Sequence, residues 1–239
     1  NIYLGNNTLT TGISNASTEY RGMIIGNGGL IKNGNGTFTL SGANTYTGSL
    51  MHINAGILKV NHTTAVGSLL DVVLANVSGA AFDINNFNVT VNSISGGGIS
   101  GGNIALGSGN LITGAGNTDT ELGGVISGTG GLVKQGSGTF TLSGSNIYTG
   151  KTQINAGRLR AGNVNGLGSN SAVTLADANG VILDLNGYSL TLGSISGGGA
   201  TGGNVVLGSG MLTFGGDNSS TQFSGVISGT GGLIKQGSG

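Results

Sequence analysis

The stretch GLVKQGSGTFTLSGSNIYTGKTQINAGRL, residues 131–159, constrains this chain more than any other feature, because it occurs twice. Residues 29–58 read GLIKNGNGTFTLSGANTYTGSLMHINAGIL, and the opening returns as GLIKQGSG at 232–239. The flanks repeat as well: NIYLGNNTLTTG from Asn1 matches NIALGSGNLITG from Asn103 and NVVLGSGMLTFG from Asn204, so copies start 102 and then 101 residues apart. Between residues 103–138 and 204–239, 23 of 36 positions are identical. Self-similarity of this kind marks a tandem array, in which each unit buries its apolar face only against its neighbours. The expected organisation is one continuous solenoid over residues 1–239, with internal repeats 1–102, 103–203 and a partial 204–239, cut from a longer array. Between Tyr148 and Asn155, KTQ stands where the first copy has SLMH. A one-residue change that leaves both flanks in register belongs in a turn.

Within each copy the local signal is alternation over very short pieces. Thr37-Phe-Thr-Leu40, Thr139-Phe-Thr-Leu142, Val181-Ile-Leu-Asp-Leu185 and Ser189-Leu-Thr-Leu192 are rich in strand formers and bounded by Gly, Asn or Ser. The 53 glycines leave no window for a capped helix, and with no proline and no Gly-X-Y period the chain is not collagen-like. Its turns are SG, GSG and SGGG segments suited to corners, with few two-residue hairpin loops. The fold class predicted is all-β: a right-handed single-stranded parallel β-helix with little or no helix. Some 12 strand-like pieces per copy predict about four coils per copy and nine to ten in all, a rod of roughly 45 Å at the usual strand spacing. Leu132, Leu142, Ile154, Leu159, Leu175, Leu185, Leu192, Leu207 and Phe214 are expected to stack in its interior.

Several function classes lose support on composition. Eight basic and eight acidic residues are scattered singly, which offers no patch for nucleic acid and no polybasic membrane anchor. Apolar runs of four or five residues cannot span a bilayer, so the segment is not expected to insert in a membrane. The absence of cysteine removes disulfides, thiolate metal sites and thiol nucleophiles.

The pattern GxGGLxKxGxGTxTLSGxNxYTGxTxINAGxL, at residues 128–159 and again at 26–58, resembles the autotransporter-associated β-strand repeat of type V secreted passengers in Gram-negative bacteria. Lys134, Asn146, Tyr148, Thr149, Gly150, Ala156 and Gly157 stand at the offsets of that motif. The resemblance implies a β-helix displayed at the cell surface, attached to the outer membrane or secreted. It also implies roles in adhesion, aggregation or biofilm formation, and partners among host or bacterial surface proteins and glycans, or other copies of itself.

Candidate sites are few. His52 and His62 are the only imidazoles, both lie in the first copy, and no GxSxG elbow is present, so no catalytic residue is assigned. Asp119 and Glu121 form the one close acidic pair and read as a surface turn; Asp83 and Asp184 are equivalent positions far apart. The glycine-rich segments lack the aspartates of calcium-binding repeats, and neither a metal nor another cofactor is expected. The repeat-fixed residues Lys32, Lys134, Asn44, Asn146, Tyr46, Tyr148, Gly48, Gly150, Gly56 and Gly157 read as structural, with the Asn-x-Tyr-Thr-Gly stretch as an Asx-type turn packing its tyrosine across a coil corner. Contact residues are expected where copies differ: His52, Lys59 and His62 in the first copy, and Lys151, Arg158 and Arg160 in the second, as a basic cluster on one edge. An adhesive solenoid is the leading reading, a polysaccharide-cleaving β-helix the second, and a self-assembling filament the third.

Overall fold

The computed structural model describes residues 1–48, 50–67, 70–168 and 170–239. Every regular element in them is a strand of two to four residues, and every strand pairing is parallel. The chain is therefore a β-solenoid, each coil adding one segment to each of three faces. Face two is an unbroken sheet of 11 strands running from Leu9–Thr11 to Ile227–Ser228. Along it, Phe140 lies beside Leu159 and Gly96 beside Leu122, so a coil takes 19 to 26 residues. Face one carries Ile2–Tyr3 and Ile24–Ile25, then the six-stranded sheet that includes Val89–Thr90 and Leu132–Lys134. Face three carries the six-stranded sheet from Thr18–Tyr20 to Ile126–Ser127, then Leu190–Thr191, Leu212–Phe214 and Leu233–Lys235.

Alternation sets which side chains point inward. In Thr37–Leu40, Phe38 and Leu40 are buried while both threonines stay at the surface. The same parity puts Leu132, Leu142, Ile154, Leu159, Leu175, Leu185, Leu192 and Leu207 into one continuous core, with Phe214 half-buried against it. Burial of each aliphatic side chain contributes about 1.5–3 kcal/mol, which is how strands too short to persist alone hold together.

The coil count departs from the expectation of four per copy. Within residues 1–102 the 12 strands are joined by two strandless segments, 43–48 and 63–67, that also occupy face one. The 43–48 stretch is not a corner. Thr45 and Thr47 donate their backbone N–H groups to Ile24 and Gly26, and inward and outward residues alternate along it as on a strand. Fourteen segments on three faces make four and two-thirds coils per copy, and the 11-stranded face sets the whole at about eleven coils.

A non-integer repeat turns each copy by one face relative to the last. The LxK strand shows this: Leu30–Lys32 is on face two, Leu132–Lys134 on face one and Leu233–Lys235 on face three. The Thr-Phe-Thr-Leu strand moves likewise, from face three at Thr37–Leu40 to face two at Thr139–Leu142. The extra residue of the first copy falls at Ser49, outside the described residues, between Gly48 and the strand Leu50–Ile53.

Candidate functional site

The polar residues that recur with the motif point inward. Lys32 shares the parity of Leu30, and its ammonium is fully buried, donating to the carbonyls of Asn33 (2.8 Å), Gly34 (2.7 Å) and Ala55 (3.0 Å). Lys134 repeats this with Gln135 (2.6 Å), Gly136 (2.7 Å) and Ala156 (3.2 Å). Three carbonyls match the three N–H donors of an ammonium and offset the cost of taking it out of water. Burial still draws the Lys134 pKa down to about 8, against a smaller upward pull from Asp119.

Asn44 ties three coils together. Its Oδ1 accepts the Ile24 N–H (2.8 Å) in the coil before, and its Nδ2 donates to the Ala65 carbonyl (2.7 Å) in the coil after. Asn146 does the same between Ile126 (2.8 Å) and Gly166 (2.5 Å). Two residues on, Tyr46 and Tyr148 fill the interior and are completely buried. At Gly48 and Gly150 a Cβ would run into the carbonyl oxygen of Gly28 or Gly130 in the neighbouring coil, so only glycine fits. Gly56 and Gly157 turn with φ of +62° and +64°, the left-handed region that glycine adopts without strain.

Outward positions form ladders. On face three Glu19, Thr39, Lys59 and Asp83 are neighbours in successive coils; on face two their equivalents are Glu121, Thr141, Arg160 and Asp184. Lys59 approaches Asp83 at 3.5 Å, with both side chains partly exposed. In the second copy Arg158 (2.7 Å) and Arg160 (3.2 Å) converge on one oxygen of Asp184, whose side chain is only 5% exposed. The Arg160 Nε lies close enough for an ion pair but is not aligned for a hydrogen bond. At the head of each ladder Ser41 (2.6 Å) or Ser143 donates to the glutamate, and Arg21 with Ser41 holds the Glu19 carboxyl below its usual range.

The six expected contact residues do not make one cluster, because corners separate residues within a copy and the third-of-a-turn offset separates the copies. His52 sits half-buried on face two between Ile31 and Val73. Lys59 is on face three, and His62 is in the turn that follows, where its Nδ1 accepts the Thr64 N–H (3.2 Å). Lys151 is exposed on face one beside Asn110 and Gln153. Arg158 and Arg160 lie together on face two, with Asp184 taking up their charge.

Two arginines and an acid do converge in adjacent coils, yet the constellation is not a carboxylate pair. Asp184 has Oδ2 engaged by the arginines and Oδ1 by the Asn186 N–H (2.8 Å). Glu121 is three coils away on the same ladder, about 14 Å at 4.8 Å per strand. Glycosidic chemistry needs its two carboxylates within about 5–9.5 Å. Asp119 meanwhile accepts the Thr139 N–H (2.7 Å), which fixes a turn.

One surface feature was not read from the sequence. Where each copy replaces a strand by a turn, at 63–67 and 164–168, the outer face is recessed. The recess of the first copy, about 350 Å³, lies on face one over Val66 and Val89 and is rimmed by Thr45, Thr63, Asn88 and Thr90. That of the second, about 310 Å³, lies on face three over Leu167 and is rimmed by Asn165, Asn170, Ser189 and Thr191. The signal is the loss of alternation in the NHTTAVG stretch, residues 61–67, next to an alternating strand, which reads as a plain loop until a face is known to pass through it.

Residues 30–60 and 132–161 match the family model described as the passenger-associated-transport-repeat. The whole chain is 39% identical over 245 residues to part of the Adhesin BmaC autotransporter of Brucella suis biovar 1 (strain 1330), and it spans 7% of the length of that relative. No solved structure matches. Inward lysine, asparagine and tyrosine at fixed offsets, repeated on successive faces, are what those matched segments encode: the chain carries passenger-associated-transport repeats, stacks them as a parallel β-solenoid, and is similar along its length to part of an autotransporter adhesin.

Proposed function

We propose that this segment is a surface-displayed structural and adhesive module that acts by extended contact, with no catalytic role, on the outside of a Gram-negative cell. The observation that carries the reading is the match along the full length of the chain to part of an autotransporter adhesin. Support comes from the division of labour in the motif: its recurring polar residues are spent inside, on carbonyls and neighbouring coils, and leave the outward ladders and recesses to vary. His52, Lys59, His62, Lys151, Arg158 and Arg160 are proposed as contact residues on three different sides of the rod. Partners would be surface proteins or glycans of a host or of other bacteria.

The test is a bead assay. Beads coated with the chain should bind epithelial or bacterial cells above albumin-coated beads, and soluble chain should compete. Binding equal to the albumin control, together with release of reducing sugar from a polysaccharide panel, would replace adhesion with catalysis.

A further inference from the structure

Recesses stand at equivalent places in the two copies, so they belong to the repeat rather than to one local packing arrangement. Each has an apolar floor, from Val66 in one and Leu167 in the other, and each has a rim of hydroxyl and carboxamide groups. No Asp, Glu, Lys or Arg lines either of them among the described residues. Thr90 and Thr191 occupy the same outward position in the strands that border them, and both are exposed. The rim stays polar at two positions where identities change, Asn88 becoming Ser189 and Thr64 becoming Asn165, while Thr63 gives way to the exposed Val164.

We propose that each recess is a subsite for an uncharged saccharide, one per repeat. This rests on the adhesive reading above and names its ligand. A sugar ring presents C–H groups on one face and hydroxyls around its edge, which fits an apolar floor with a rim of donors and acceptors. The volumes are at the small end of ligand sites, sized for one or two rings. An anionic sugar would find no cation to pair with there.

The offset between copies decides how such a surface engages a glycan. The first recess is on face one and the second on face three, four and two-thirds coils further on. That is about 22 Å along the axis at 4.8 Å per coil, and a third of a turn around it. One straight oligosaccharide lying along the rod does not reach both. Separate branches or chain ends do, from different sides, and weak single contacts then add by multivalency.

Saturation-transfer NMR with the intact chain tests this, using lactose, cellobiose and chitobiose as uncharged probes and sialyllactose and a heparin disaccharide as charged ones. Transfer is expected to at least one uncharged disaccharide. It should be reduced in Thr90→Arg and in Thr191→Arg, and abolished in the double variant, with circular dichroism and melting unchanged. Asn88→Arg with Ser189→Arg serves as the second pair if the first perturbs folding. No transfer to an uncharged probe, transfer confined to the charged ones, loss in one single variant alone, or full signal in both double variants would overturn the proposal. Cell binding by beads carrying the double variant separates the two readings: if retained while saccharide transfer is lost, adhesion stands and another surface mediates it.

Discussion

The first and second copies of the motif have the same backbone and different interiors. Tyr148 donates or accepts through its hydroxyl with Thr152 (2.7 Å), which contacts Ser171 (3.0 Å), which donates to the Gly150 carbonyl (2.7 Å). In the first copy Met51 and Leu70 stand where Thr152 and Ser171 stand in the second, and the buried Tyr46 hydroxyl has no partner among the described residues. Outside, the second copy gathers two arginines on a nearly buried Asp184, whereas the first offers a looser Lys59 to a more exposed Asp83. Coil geometry thus fixes what the motif shares, chiefly the lysine, asparagine and glycine positions, while side-chain networks around it are free to diverge.

Replacing the shared asparagine should have the largest effect and should not distinguish the copies. Asn146→Ala and Asn44→Ala each leave a buried N–H and a buried carbonyl unpaired beside a small cavity, and each should cost about 3–5 kcal/mol in urea unfolding. Unequal losses would show that one copy does not use its asparagine as a bridge. Asp184→Asn should cost about 1–2 kcal/mol because it strands two arginines near a partly buried site, and Asp83→Asn only a few tenths, about what a partly exposed pair is worth. The tyrosines sharpen the contrast by sign: Tyr148→Phe should destabilise by about 1 kcal/mol, and Tyr46→Phe should stabilise by a similar amount, since it removes an unpaired buried hydroxyl. Equal signs would contradict the assignment of the hydroxyl network.

The last expected effect is on pH dependence. Burial puts the Lys134 pKa at about 8, below the unfolded value of about 10.4. Between those values the unfolded chain holds a proton that the folded one has released, so stability rises with pH, by about 3 kcal/mol over the full interval. Burial raises both Tyr46 and Tyr148. Their contribution is present below the unfolded tyrosine value of about 10 and is lost as pH climbs above it. Melting temperature should therefore peak between about pH 9 and 10, and Lys134→Met should flatten the rising limb. A curve that falls steadily from pH 8 would contradict the lysine assignment.

Much of this was legible in the sequence. Thr-Phe-Thr-Leu alternation gave strands, and the tandem copies gave a solenoid whose interior aliphatics are where they were expected. The coil count was not, because Asn44 to Gly48 lacks strand-forming apolar residues and reads as a turn, although its inward positions are filled by an asparagine, a tyrosine and a glycine. Counting it as a corner removes a face and hides the two-thirds coil. The inward lysine was readable by parity, since Leu30 and Lys32 must point the same way, but a charge at an inward position is normally taken as surface. Grouping Lys151 with Arg158 and Arg160 followed from sequence proximity, which a solenoid corner breaks within a few residues.

The central claim is the third-of-a-turn offset between copies, and pairwise spin-label distances test it most directly, since the chain has no native cysteine. Thr39 and Thr141 are equivalent positions, on face three and face two, while His52 lies on the same face-two ladder as Thr141, four coils away. With cysteines placed pairwise at these three sites, double electron–electron resonance should give a His52–Thr141 separation of about 19 Å at 4.8 Å per coil, shorter than Thr39–Thr141. If the copies instead repeat after a whole number of coils, Thr39 and Thr141 share a face and the order of the two distances reverses.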